Sequence, residues 1–137
     1  MTIEESQQNI IDEFADIDDW MDRYACIIDM GNELAPLPEE LKTPDRLIEG
    51  CQSRVWLDAE KMPDGTVKYS ADSDAIIVKG IISMLIDVLS GHTPEEILNA
   101  DLRFVDEIGL SEHLSPTRSN GLVAMLKQMR AYAAAFK

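Results

Sequence analysis

The chain holds two cysteines, Cys26 and Cys51, and two histidines, His92 and His113. These are residue types that serve as nucleophiles and as ligands of transition metals. Cys51 lies in EGCQSRVWL, residues 49–57, beside Gly50 and just ahead of an alternating run that reads as a strand. A thiol works chemically as its thiolate, so neighbours and access decide whether it reacts. Gly50 supplies backbone freedom and removes a side chain that would block approach. A loop that enters a strand is also where reactive groups are often held by a rigid scaffold. On these residues alone, Cys51 reads either as a functional thiol or as an inert cysteine.

Other chemistries are poorly served. There is no C-x-x-C, and neither histidine stands at zinc-finger spacing from a cysteine. Cysteine and histidine within one chain therefore cannot build a closed zinc site or a four-cysteine cluster site. A Cys–His hydrolase needs a histidine brought to the thiol. His92 and His113 both fall in linker-like segments and are expected to be solvent-exposed turn residues. The glycines are scattered, so no phosphate loop is present. The carboxylates read as solvated faces, and no acid–base pair stands out.

The elements that must position Cys51 follow from periodicity. Thr2-Ile3-Glu4-Glu5 has the form of a capping box and predicts a helix with Ile10, Ile11 and Phe14 on its apolar side. A second helix is predicted over 18–34, with the stripe Ile17, Trp20, Met21, Tyr24, Ile27 and Ile28. Cys26 sits beside that stripe as a small core or boundary residue. Residues 35–50 contain Pro36, Pro38 and Pro44 and read as a loop with short helical turns. The period then becomes two. Val55, Leu57 and Ala59 alternate with polar neighbours, as do Val67, Tyr69 and Ala71, and Met62-Pro63-Asp64-Gly65 between them carries turn chemistry. An antiparallel hairpin with one buried face is expected over 54–60 and 66–72.

Residues 72–91 are apolar almost all round, as in a central buried helix ended by Gly91. Thr93-Pro94-Glu95-Glu96 is a second capping box, opening a helix to about residue 99, and 101–108 add another turn or two. Ser115-Pro116 opens a last helix lined by Leu122, Met125, Leu126, Met129, Tyr132, Ala133 and Phe136. The expected fold class is α+β: a small antiparallel sheet packed against several helices.

Composition bounds the partners. The 137 residues fit a single domain spanning 1–137. No apolar run approaches the roughly 20 residues that span a bilayer. The start, MTIEESQQNI, lacks the basic and apolar regions of a signal peptide. A cytoplasmic protein is expected, with no membrane partner. A net charge of −14 disfavours nucleic acid, whose phosphates would be repelled. The charge is uneven. Residues 1–45 hold thirteen acids and two bases, while 115–137 hold four bases (Arg118, Lys127, Arg130, Lys137) and no acid. This reads either as solvated helix faces or as a patterned surface that steers a protein partner.

Three stretches, GCQSRVWL (50–57), YSADSDAIIVKGI (69–81) and LSPTRSNGL (114–122), in this order and spacing resemble SufE-type sulfur-acceptor proteins of the SufE/CsdE family. The helical beginning and end fit too, so the resemblance covers nearly the whole chain. It implies a SufE/IscU-like fold and a sulfur-transfer partner rather than a stand-alone enzyme. Such proteins assist and stimulate a pyridoxal-phosphate (PLP)-dependent cysteine desulfurase, of SufS or CsdA type. They take its persulfide sulfur on their own cysteine and pass it to a downstream cluster scaffold or sulfur acceptor. The family cysteine maps onto Cys51, and Cys26 matches no motif. No cofactor or metal is implied on this chain. The expected state is a monomer or weak homodimer.

The resemblance also singles out Gly50, Gln52, Ser53, Asp74 and Arg118. Arg118 is expected near the Cys51 loop, favouring thiolate or binding a partner carboxylate, with a plain surface or loop-bracing role as the alternative. Asp74 either sits at the N-terminus of the buried helix or locks the thiol loop until the desulfurase docks. Gln52 and Ser53 are placed to hydrogen-bond the loop or the persulfide. Trp56, on the polar face of its strand, covers the sheet beneath a helix or meets a partner. Cys51 itself is expected to be partly sheltered, because an exposed persulfide is lost to small thiols. Two other readings compete: an IscU-type iron–sulfur scaffold, which a single matched cysteine disfavours, and an acidic protein-binding module with an incidental cysteine.

Overall fold

Helix α1 (Ile3–Ala15) begins where the capping box places it: Thr2 accepts from the Glu5 N–H, and Glu5 reaches back to the Thr2 N–H. In this computed structural model residues 1–50 and 53–137 are described, residue 111 by its backbone alone. Helix α2 (Trp20–Asn32) is capped by Asp19, which accepts from the Met21 N–H. Two short 3-10 turns follow, Glu39–Leu41 and Pro44–Arg46. Strands β1 (Val55–Lys61) and β2 (Val67–Ser73) pair antiparallel, with Leu57 opposite Ala71 and Trp56 opposite Asp72. Helix α3 (Ile76–Leu89) leads to α4 (Pro94–Asn99), α5 (Phe104–Glu107), α6 (Leu110–His113) and the long α7 (Pro116–Phe136). The fold is α+β. Among the described residues no helix is long and apolar enough to cross a membrane.

The hairpin turn works through its own polar groups. The Gly65 N–H donates to the Met62 carbonyl at 2.9 Å, and Asp64 accepts from the Thr66 N–H at 3.0 Å. Val55, Leu57, Val67, Tyr69 and Ala71 turn inward and are buried. They rest on α3 and α7, which supply the second layer that a two-stranded sheet needs. Two tyrosines tie α7 to the sheet: Tyr69 donates to the Met129 carbonyl at 2.6 Å, and Tyr132 donates to the Leu57 carbonyl at 3.2 Å.

Helices α2 and α3 cross at two glycines. A Cβ on Gly80 would lie 2.1 Å from the Ile27 carbonyl oxygen, and one on Gly31 would lie 2.7 Å from the Gly80 nitrogen. No side chain fits there, so backbone meets backbone. Gln7, buried on α1, satisfies both ends of its amide: it donates to the Asp101 carbonyl and accepts from the Phe104 N–H. Burial of this amide therefore leaves no unpaired polar atom to penalise the core.

Several expectations need correction. Met21 is 72% exposed, not part of the buried stripe; the close α2–α3 crossing centres burial on Ile27 and Gly31 instead. The Asp72-Ser73-Asp74 segment does not begin the buried helix. Its first two residues extend β2, and Ala75 caps α3 without a side-chain bond. Over Trp56, the Lys42 ammonium, from the preceding loop, sits 5.5 Å from the ring centroid. His92 is not an exposed turn residue. Its backbone joins the sheet by accepting from the Val67 N–H, and its ring is largely buried beside Glu96. His113 is exposed, stacked on Trp20 at 3.7 Å between centroids.

Candidate functional site

The backbone closes a short loop at the entrance of β1. Ile48 donates its N–H to the Val55 carbonyl at 2.9 Å, and Leu47 bridges to Trp56. Both ends of segment 49–54 are thereby pinned to one strand. Gly50 holds φ +92°, a left-handed conformation that side chains other than glycine's disfavour. A Cβ there would meet the Ala124 methyl of α7 at 3.4 Å, so the loop leans on that helix. Cys51 and Gln52, the candidate acceptor and its polar neighbour, lie outside the described residues.

The far end of the loop is tied down a second time. Arg54 donates its N–H to Asp74 Oδ1 at 3.0 Å, and Asp74 donates its own N–H to the Arg54 carbonyl at 3.2 Å. The Asp74 carboxylate thus serves the loop rather than the N-terminus of α3.

Beside the loop lies a half-open cavity of about 390 Å³. Val78, Ile81 and Met125 form apolar walls, and Ser53, Ser115, Thr117, Arg118 and Gly121 complete the lining. Ser53 and Arg118, distant in sequence, therefore share one cavity. Local sequence explains where Arg118 stands. Ser115 caps α7 and accepts from the Arg118 N–H at 3.3 Å, so the residue occupies the first turn. Its side chain is exposed, and among the described residues it joins no carboxylate. Neither histidine lines this cavity. The sequence reading missed its apolar walls: Val78, Ile81 and Met125 look like any helix core residues, and nothing local marks them as facing a gap.

A buried charge node braces the same region. Asp72 lies two residues before Asp74, with its side chain 12% exposed. Its carboxylate takes Lys42 at 3.1 Å and Lys79 at 3.4 Å. Burial pushes its pKa up, but the Lys42 hydrogen bond, the Ser73 N–H and the two ammonium charges outweigh that and hold it below the usual value. The node joins the 36–47 loop, β2 and α3. Cys26 belongs to a different surface: half-buried, with its Sγ 3.8 Å from Glu13 Oε1. Burial, Glu13 and Asp29 all push its thiol pKa up, which disfavours the reactive thiolate.

Comparison with known proteins agrees with this architecture. The model of the SufE family, described as an Fe-S metabolism associated domain, matches residues 8–133. Among solved structures, the solution structure of a hypothetical protein from Thermus thermophilus is similar in fold. Its TM-score is 0.77 at 22% identity, over 96% of this chain and 95% of that one. The match runs across the thiol loop, the Asp74 contact and the start of α7 alike, and the chain belongs to the SufE family, whose domain is associated with iron–sulfur metabolism.

Proposed function

We propose that the protein accepts persulfide sulfur on Cys51 from a PLP-dependent cysteine desulfurase of SufS or CsdA type, stimulates that enzyme, and hands the sulfur on for cluster assembly. The Cys51 thiolate attacks the outer sulfur of the donor persulfide. A new S–S bond forms on Cys51, the donor's S–S bond breaks, and the donor cysteine leaves as thiolate. Sulfur moves with no net oxidation or reduction, so the step needs no cofactor on this chain.

The observation that carries this reading is the pinned loop itself. Segment 49–54 is held at both ends, by Ile48 to Val55 and by Arg54 to Asp74, and it borders a cavity that Arg118 shares. A short loop on a rigid base can present a single thiol to a second protein. The cavity supports the expectation that the thiol and its persulfide are sheltered from small thiols until docking. Release of the Asp74 contact on docking would then free the loop. The Arg118 guanidinium is assigned to favour the Cys51 thiolate or to bind a carboxylate of the desulfurase. If Arg118→Ala leaves both the Cys51 pKa and sulfur uptake unchanged, that assignment is wrong.

Intact mass after incubation with a desulfurase and free cysteine tests the whole reading. Wild type should gain about one sulfur atom (~32 Da), and Cys51→Ser should gain none. Absence of the gain on wild type, with a desulfurase shown to bind, would overturn the acceptor role.

A further inference from the structure

We infer that the rim of the thiol loop is a cationic docking collar, fitted to a partner whose sulfur-bearing cysteine is ringed by carboxylates. The inference rests on the acceptor reading and adds the chemistry of the partner's surface.

The first ground is where the free cations are. Residues 1–114 carry eight bases and twenty-six acids, while 115–137 carry four bases and no acid. Most bases of the acidic part are already engaged. Lys42, Arg46, Lys79 and Arg103 sit in ion pairs, and Arg23 is bonded to three backbone carbonyls. Six cations are exposed and pair with no carboxylate among the described residues: Lys61, Lys68 and Lys137 elsewhere, and the three that concern the loop, Arg54, Arg118 and Lys127.

The second ground is that these three surround one loop. Arg54 ends it. Arg118 shares the cavity that Ser53 lines. Lys127 follows Ala124, the residue Gly50 leans on, by three positions, and so lies on the same side of α7 one turn on. Next to Ala124, Val123 is 65% exposed and adds an apolar contact point. Two exposed acids stand beside the loop, Glu49 and Asp74, and Asp74 keeps its charge while accepting from the Arg54 N–H. Three cations against two carboxylates leave the collar net cationic on a chain of net charge −14.

Screening decides which of the two charges a partner feels. At physiological ionic strength fields decay over about 8 Å. The net −14 spread over the molecule is damped beyond that distance, whereas the collar acts at contact range. Charges at an interface rim of this kind act mainly on the association rate and its salt dependence. Three cations are few for tracking a phosphate backbone, and their grouping at the borders of one short loop favours a protein partner.

The test is stopped-flow association with the SufS-type desulfurase of the same organism, at low salt and at about 0.5 M salt, where the screening length falls to a few ångströms. The double variant Arg54→Glu/Lys127→Glu should associate about tenfold more slowly at low salt, with dissociation little changed and the difference largely lost at high salt. The neutral pair Arg54→Gln/Lys127→Gln should fall between. Lys68→Glu, exposed near the hairpin turn, should match wild type. Thermal melts of each variant guard against misfolding. Equal rates at low salt, a slowing that salt does not remove, or wild type shifting an oligonucleotide that the double variant does not shift would each overturn the collar. Sulfur uptake is scored separately: at saturating desulfurase the double variant should still gain one sulfur. A wild type that binds but takes no sulfur would defeat the acceptor reading and leave the collar standing on the rate data.

Discussion

Arg54 and Asp74 exchange a pair of hydrogen bonds. The Arg54 N–H donates to the Asp74 carboxylate at 3.0 Å, and the Asp74 N–H donates to the Arg54 carbonyl at 3.2 Å. One of the two is backbone to backbone and survives any side-chain change. The other depends on the carboxylate, and hydrogen bonds to charged groups are the stronger kind. The side-chain bond therefore sets how tightly the loop's end is held.

Asp74→Ala is expected to free that end while leaving the fold intact, at a cost of about 1 kcal/mol. Alkylation of Cys51 should speed up several-fold relative to wild type. Asp74→Asn keeps an acceptor oxygen and should show a smaller change. Mass-resolved alkylation rates for the three proteins check this, and identical rates would separate Asp74 from the loop.

Cys26→Ser should leave sulfur uptake unchanged. Its thiol is held in the unreactive protonated form by burial, Glu13 and Asp29. A loss of the ~32 Da gain in this variant would move the acceptor chemistry away from Cys51 alone.

The Asp72 node predicts a specific acid sensitivity. Its folded pKa lies below 3.8, so the carboxylate contributes stability that is present above that value and lost as pH falls through the lowered one. Asp72→Asn leaves Lys42 and Lys79 without their shared anion. It should cost about 2 kcal/mol at neutral pH, the ammonium groups recovering part of the loss because both remain partly hydrated. Urea midpoints of wild type and variant should differ most above about pH 5 and converge below the aspartate range. A gap that is constant across pH would mean that the charge is not the stabilising element.

Gly80→Ala should be severely destabilising. The added methyl would stand 2.1 Å from the Ile27 carbonyl oxygen, so α2 and α3 must move apart. Overpacking of this kind costs roughly 1–3 kcal/mol, and more where backbone rather than a flexible side chain must yield. A melting temperature close to that of wild type would show that the two helices separate easily.

Much of this protein is legible from the chain alone, because the signals are local. The capping boxes at Thr2 and Thr93, the turn at Asp64-Gly65 and the alternation of Val55, Leu57, Val67, Tyr69 and Ala71 each act within a few residues. The three motif stretches also sufficed for the resemblance to the SufE family. Other features depend on which distant residues meet. Met21 is out of the core because Gly31 and Gly80 draw the helices together on another face. Asp74 serves the loop instead of α3 because β2 runs on through Ser73 and brings it beside Arg54. Ser53 and Arg118 share a cavity because α7 packs against the strand that the loop enters. Short-range periodicity, capping and motif suffice for the elements, the α+β class and the family resemblance that singles out Cys51. The tertiary structure alone decided what surrounds that residue's loop, since long-range packing brings together groups whose spacing along the chain carries no trace of their contact.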